Sequence, residues 1–414
     1  MKGGIVMLVS FRFKNFGPFK EDTFFDMRAV SEDVKHPDNL ITEYADLPLL
    51  KVATIYGANA SGKTQFVQAY HTFFKIVIFS FSQNNKADDD TPLLAELYNS
   101  FFLDSEAQEE CIEFEGIYRL GRHEYKYGFA FDSNSIQYEW LYRTSLVNGR
   151  QETILERDGT KIELGDSVKK SCEKYVSNID SDVLVLSFMS SLKLRTSVFY
   201  DVVYCVKDIL PVYLSGDFTA KRLLTSYFEK DFDEEEKENL LKFLKAVDTG
   251  IIDIVVEKKG KNTSVYTRHL GKDRVIYEFP ISIESDGTRR AIAVYSLIRT
   301  ACLGNKGLLI DEFHSQLHPL LQKYIIDLFY ERCGSGQLIY TTHDTTLLDE
   351  KYVRRDQIWF VDKNEAGESS LYSLSEFGFR NECSFETDYL SGRYGGIPNL
   401  KDFSFEGGND HAEG

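Results

Sequence analysis

The 414-residue sequence contains no CxxC pair; its six cysteines (Cys111, Cys172, Cys205, Cys302, Cys333 and Cys383) are scattered. That spacing excludes the usual zinc-knuckle pattern and reads as buried, reduced thiols without a disulfide framework. Long apolar runs are also missing. The longest, near IVIFSF at 76–81, is far below membrane length. The opening MKGGIVMLVSFRFKNF carries charge too early for a signal peptide. A soluble, cytoplasmic protein without a membrane partner is expected. Positive charge is in deficit, with a formal net charge of −17. This argues against a non-specific polyanion binder, because such affinity rests on phosphate neutralisation by Lys and Arg. DNA contact through a local basic stripe stays open. Internal repeats and heptad arrays are absent, which excludes solenoids and long coiled coils.

What is present begins at residues 55–64, IYGANASGKT. Gly57, Gly62, Lys63 and Thr64 fit the P-loop pattern of two glycines with four residues between them, followed by Lys and Ser or Thr. Glycines let backbone N–H groups wrap phosphates, lysine reaches the β and γ oxygens, and threonine ligates magnesium. KVATIY before the loop reads as a strand and TQFVQAYHTFFKIVIF after it as a helix, the context a P-loop requires. Asn59 and Ser61 complete the candidate nucleotide contacts.

GLLIDEF at 307–313 offers the metal carboxylate. Its apolar positions bury a strand and leave Asp311 and Glu312 at the carboxyl end, where α/β sheets place ligands. Asp311 would hold Mg²⁺ with Thr64, and Glu312 would polarise the attacking water. LIYTTHD ends a further apolar strand on His343, placed to touch a γ-phosphate. Upstream, ESDGTRRAIAVYSLI opens a helix with Ser285 and Gly287. A hydroxyl at a helix N-terminus forms an anion site, or simply an N-cap.

The remaining pattern gives the organisation. IEFEGIYRL, HEYKYGFAFD and IQYEWLYR alternate like antiparallel hairpins, and 165–247 has helical spacing. DFDEEEKENLLKFLKAVDTG places acids at the start of a helix, lysines later and Gly250 beyond the end. Four segments follow: 1–145, an N-terminal lobe with the P-loop and hairpins; 146–249, a mainly helical insertion; 250–375, a C-terminal lobe; and 376–414, a polar, glycine-rich tail. About fifty residues after the last strand are too few for another domain of ordinary size. The expected fold class is α/β, a P-loop NTPase with a mixed or parallel core sheet and an antiparallel β subdomain.

The order P-loop, insertion, Ser-x-Gly helix, Asp-Glu, His resembles the ABC-type ATPases, with Asn59 typical of their SMC and RecF/OLD branch. The resemblance implies that ATP is sandwiched between two subunits, that Ser285 and Gly287 act in trans, and that HSQLHP (314–319) occupies the D-loop position. SDGT stands where SGGQ is usual. No Q-loop glutamine is placed; YNSFFLDSE is the region to search. More closely, the chain is similar to the AAA-family ATP-binding proteins of bacterial abortive-infection and anti-phage operons, such as the PARIS-type systems. The similarity includes SFRFKNFGPFK, DTGIIDIVV, SDGTRR–LLIDEF–HPLL–THD and YLSGRYGGIP. It implies a homo-oligomeric ATPase that hydrolyses ATP with Lys63, Glu312 and His343. It also implies control of a separately encoded effector, a nuclease or TOPRIM-like toxin, in response to a phage-derived trigger. The alternative is a RecF/SMC-like DNA-maintenance ATPase acting on DNA. A transporter subunit or an OLD-type nuclease fits less well.

Overall fold

The computed structural model describes residues 4–43, 47–83, 91–192, 198–214, 217–229, 232–260, 262–378 and 384–398. Its centre is a six-stranded sheet in the order Ile209–Tyr213, Gly307–Asp311, Gln337–Thr341, Val52–Gly57, Ile358–Lys363, Ser369–Ser373. The first five strands are parallel, and the last pairs antiparallel at the edge. Gly307–Asp311 and Gln337–Thr341 are buried along their whole length. Strand alternation sends Leu308 and Ile310 into one core and Leu309 into the other. Each such fully buried aliphatic side chain contributes about 2 kcal/mol.

One face of this sheet carries the helices Asp286–Gly304 and Pro319–Arg332. The other carries the P-loop helix, Lys63–Gln83, which is covered in turn by a seven-stranded antiparallel sheet. Aromatic rings fill that second layer. Phe11 meets Tyr70 edge-on at 5.1 Å, and Phe73 stacks on Phe129 at 5.7 Å. Offset and edge-on pairs of this kind add to plain area burial. The P-loop helix is thus gripped on both sides, which fixes its N-terminus.

The antiparallel sheet extends further than expected. Gln151–Asp158 and Lys161–Leu164 continue it beyond residue 145, joined by a turn at Gly159 with φ 54°. The segment 146–249 is thus not helical throughout, although helices, among them Val198–Asp208, Asp217–Glu229 and Glu234–Ala246, make up its larger part. Its first part is sheet, and Ile209–Tyr213 is an edge strand of the central sheet. Pro211 lacks the N–H that an interior strand needs, so sequence pattern alone demotes this segment; an edge position tolerates it. A separate three-stranded meander, Ile251–Lys259, Asn262–Leu270 and Ile276–Pro280, leads into the helix opened by Ser285. The acidic segment forms the helix Glu234–Ala246, where the Asp233 carboxylate accepts from Glu236 N–H at 2.8 Å.

Two further expectations change. Cys302 and Cys333 form a disulfide, with Cα atoms 4.2 Å apart. They lie at the adjacent C-terminal ends of the two helices flanking Gly307–Asp311, so a separation of 31 residues carries no motif. Cys172 and Cys205 are buried free thiols, Cys111 is half-buried, and Cys383 lies outside the described residues. In the C-terminal segment, Tyr389 and Tyr394 pack on Tyr56 and Phe360, so residues 385–397 buttress the P-loop strand. Residues 399–414 of the expected tail fall outside the described residues.

Candidate functional site

The P-loop strand ends at Gly57, and the loop closes through Gly62 onto the helix beginning at Lys63. A Cβ on Gly57 would lie 2.5 Å from the Val361 carbonyl oxygen and 2.7 Å from Ser61 Oγ. One on Gly62, whose φ is +124°, would crowd the Phe19 ring at 3.2 Å and Ser369 Oγ at 3.0 Å. Both glycines are required by packing as well as by conformation. Lys63 is buried and donates from Nζ to the Gly57 and Ala58 carbonyls, both at 2.8 Å. Burial lowers its pKa to about 8, against the opposing pull of the Asp311 and Glu312 carboxylates.

The loop opens into a cleft of about 560 Å³ lined in part by Asn59, Lys63, Thr64, Glu312 and His343. The structure therefore brings the P-loop, the end of Gly307–Asp311 and the end of Gln337–Thr341 to one place, as neighbouring parallel strands must. Asp311 is buried at the strand end, where its Oδ1 accepts from Thr341 Oγ1 at 2.6 Å. The same hydroxyl oxygen accepts from Glu312 N–H at 2.8 Å. Glu312 has φ 50°, a left-handed backbone that costs a non-glycine residue about 1–2 kcal/mol. Such conformations concentrate at working sites.

His343 opens onto the cleft, yet its pKa falls to about 4, through burial of the ring first and then through Lys63 and His314. Its ring meets His314 edge-on at 5.3 Å. Burial likewise lowers His314. Both imidazoles are neutral at pH 7, so His343 can offer a hydrogen bond without adding a positive charge.

Ser285 and Gly287 do not line this cleft. Ser285 caps its helix, accepting from Thr288 N–H at 3.1 Å, which is the N-cap role its residue type allows. A Cβ on Gly287 would approach the Gln316 carbonyl to 3.2 Å, so this helix start abuts the 314–319 loop. One group escaped the sequence reading. Arg290, buried one turn into this helix, donates to the Glu312 carbonyl at 2.9 Å and to the Leu214 carbonyl. The YNSFFLDSE stretch supplies Asn99, Phe101, Phe102 and Leu103 to the cleft, with no glutamine; Asn99 donates to Gln65 Oε1 at 3.3 Å. Lys363 and Gly367 line the cleft as well, Gly367 against Leu103.

The residues fit a magnesium nucleotide. Asp311 Oδ2 and Ser61 Oγ are buried polar atoms without a protein partner among the described residues. Buried polar atoms are ordinarily paired, so these two mark where ligand atoms belong. No group of three or more His, Cys, Asp or Glu among the described residues could hold a metal by itself. Magnesium does not need one, because it binds through one or two protein ligands plus substrate phosphates.

The parallel sheet, the P-loop between strand and helix, and the carboxylates on an adjacent strand define an α/β fold, that of a P-loop NTPase of the ABC-ATPase type. Residues 186–349 match a family of AAA domains described as putative AbiEii toxin, type IV TA system. The match runs through Ser285, Asp311, Glu312 and His343 but not the P-loop, and covers less than half of the chain. No curated protein matches the chain. Similar solved structures are SMC heads. An SMC head bound to the C-winged helix domain of ScpA is 14% identical over 90% of this chain and 99% of that one, with a TM-score of 0.40. The head from Thermotoga maritima is 12% identical over 88% and 98%, TM-score 0.36. One derived from Pyrococcus furiosus, with an extended coiled coil and the C-terminal domain of ScpA, is 14% identical over 90% and 98%, TM-score 0.37. No helix among the described residues is long and apolar enough to cross a membrane.

Proposed function

We propose that the chain binds ATP with Mg²⁺ in this cleft, hydrolyses it, and uses the bound nucleotide to join copies of itself. The observation that carries the reading is the unpartnered Asp311 Oδ2, buried at the strand end that also presents Glu312 to the cleft. Lys63 and the loop N–H groups from Gly57 to Thr64, with Asn59 and Ser61, hold the phosphates. Thr64 and Asp311 would hold the magnesium ion, which would supply neutralisation of charge on the phosphate oxygens. Glu312 orients a water and accepts its proton on a carboxylate oxygen, while neutral His343 donates a hydrogen bond to the terminal phosphate.

Ser285 and Gly287 stand apart from the cleft of their own chain, at a helix N-terminus whose N-cap Ser285 is solvent-exposed. They fit a second copy's phosphates, giving a composite site that makes ATP a requirement for assembly. The assembled form controls a separate effector in defence against phage. The AAA-domain match, whose description names a toxin–antitoxin system, supports this part of the reading.

The test is Glu312→Gln. Hydrolysis should fall by on the order of a hundredfold, ATP should still bind, and light scattering should show an ATP-dependent oligomer that persists. Unchanged hydrolysis would refute the assigned chemistry, and an oligomeric state indifferent to ATP would refute the composite site.

A further inference from the structure

A second cavity, of about 440 Å³, opens between the helices Glu234–Ala246, Asp286–Gly304 and Pro319–Arg332, and shares no lining residue with the P-loop cleft. Close-packed interiors leave few voids larger than a water, so this is the size of a small-molecule site and not of a packing defect. Its two ends differ. At one, the Phe243 ring lies 4.7 Å from Tyr295 and 6.3 Å from Tyr324, giving a wall of three rings. Along Pro319–Arg332, the lining stripe Tyr324, Leu328, Arg332 runs two turns, about 12 Å, to a guanidinium. At that end the disulfide Cys302–Cys333 ties the two helix ends together, which keeps Leu303, 67% exposed, and Arg332 at one mouth.

The charge of this cavity runs against that of the chain. The net charge is −17, yet no Asp or Glu lines the cavity, whereas Lys242, Arg299 and Arg332 do. Two of the three are already answered. Arg299 Nε donates to Glu236 Oε2 at 3.0 Å, and Lys242 lies 3.9 Å from Glu238. Arg332 makes no ion pair among the described residues. An aromatic wall at one end and an unanswered cation at the other suit a molecule that is apolar along its length and anionic at its tip.

We propose that this cavity binds a small amphipathic carboxylate, with its hydrocarbon body against Phe243, Tyr295 and Tyr324 and its carboxylate on Arg332. The body gains in proportion to the apolar area it buries, and a guanidinium meets a carboxylate through two parallel N–H donors. The walls are formed in advance: the disulfide fixes two of them, and Glu236, which also accepts from the Tyr227 hydroxyl at 2.7 Å, fixes the third through Arg299. Little ordering is then lost on binding. The site is independent of the nucleotide reading, and it gives the helix that carries Ser285 and Arg290 a ligand of its own.

The experiment is calorimetric titration of the full chain with naphthoate and with its neutral analogue naphthalenemethanol, with and without saturating MgATP. It is repeated with Arg332→Gln, Arg332→Lys and Tyr324→Ser, all at exposed positions. Naphthoate should bind the native chain with a Kd on the order of 0.1–1 mM, and the neutral analogue about fivefold more weakly. Arg332→Gln should weaken naphthoate by about fivefold and leave the neutral analogue unchanged, while Arg332→Lys keeps most of the affinity. Tyr324→Ser should weaken both by about fivefold, and MgATP should displace neither. Absence of naphthoate binding, equal binding of the two probes, indifference to Arg332→Gln or Tyr324→Ser, or displacement by MgATP would each overturn the proposal.

Discussion

The guanidinium of Arg290 donates to the backbone carbonyl of Glu312 at 2.9 Å, joining the helix that Ser285 opens to the residue proposed to activate water. A second bond runs from Arg290 to the Leu214 carbonyl, beyond the edge strand of the central sheet. The side chain is buried, which lowers its pKa to about 10, still far above neutrality. It holds Glu312 in its left-handed conformation from outside the cleft.

Replacing Arg290 with Met should therefore act on rate more than on binding. Two buried carbonyls lose a charged donor, a loss of about 2–4 kcal/mol of stability. With Glu312 released, kcat should fall by on the order of tenfold or more, whereas ATP affinity, set by the P-loop, stays close to native. Steady-state kinetics beside direct nucleotide titration separates the two. A variant with native kcat would show that the latch does not position Glu312.

Lys63 gives a pH dependence with a definite sign. Burial lowers its pKa to about 8, so above that pH most apo molecules carry a neutral amine. Bound phosphates favour the ammonium, so nucleotide binding takes up a proton, and affinity falls by up to about tenfold per pH unit above 8. Calorimetry at pH 7 to 9.5, in buffers of different ionisation enthalpy, reads both the affinity and the proton. Affinity that stays flat to pH 9.5 would contradict this.

The contrast between Lys63 and its partners shows what the sequence made legible. The P-loop, the Asp-Glu strand end and His343 were readable because each is a short motif on a strand whose apolar run identifies it. Parallel pairing then forces them together. Arg290 was not readable, because a single arginine in a helix pattern does not reveal a carbonyl two elements away. The same holds for Cys302–Cys333 and for Ile209–Tyr213, where Pro211 masks an edge strand. The 99–104 loop was flagged only as a region, since its place beside the cleft depends on Asn15 and Gly17 brought from another part of the chain.

Gly62 and Gly149 make a controlled pair. Both have positive φ, at 124° and 68°, but a Cβ on Gly149 meets nothing within 4 Å. Gly149→Ala should cost about 1 kcal/mol of backbone strain and leave nucleotide binding native. Gly62→Ala adds contact with Phe19 and Ser369, whose hydroxyl donates to the Ser61 carbonyl at 2.5 Å, and so distorts the loop itself. It should abolish measurable ATP binding at a stability cost of about 1–3 kcal/mol. Equal effects of the two substitutions in titration and thermal melts would argue against a packing requirement at the loop.

Glu139 tests the joint between the antiparallel sheet and the chain leading to the edge strand. It lies in the aromatic strand Ile136–Ser145, where alternation suggests a solvent-facing charge, yet it is buried. Its carboxylate accepts from Val185 N–H at 2.8 Å, Leu186 N–H at 2.9 Å and the Tyr127 hydroxyl at 3.0 Å. Burial raises its pKa, with these three bonds and Arg157 opposing. Glu139→Leu would leave two backbone donors at the start of the helix Val185–Ser191 without an acceptor. Each such buried donor costs about 1–3 kcal/mol, so denaturant unfolding should show a loss of about 2–5 kcal/mol. Because that helix precedes the edge strand rather than the cleft, ATP affinity of the folded fraction should remain native. A loss of affinity exceeding the loss of folded protein would instead tie this joint to the nucleotide site.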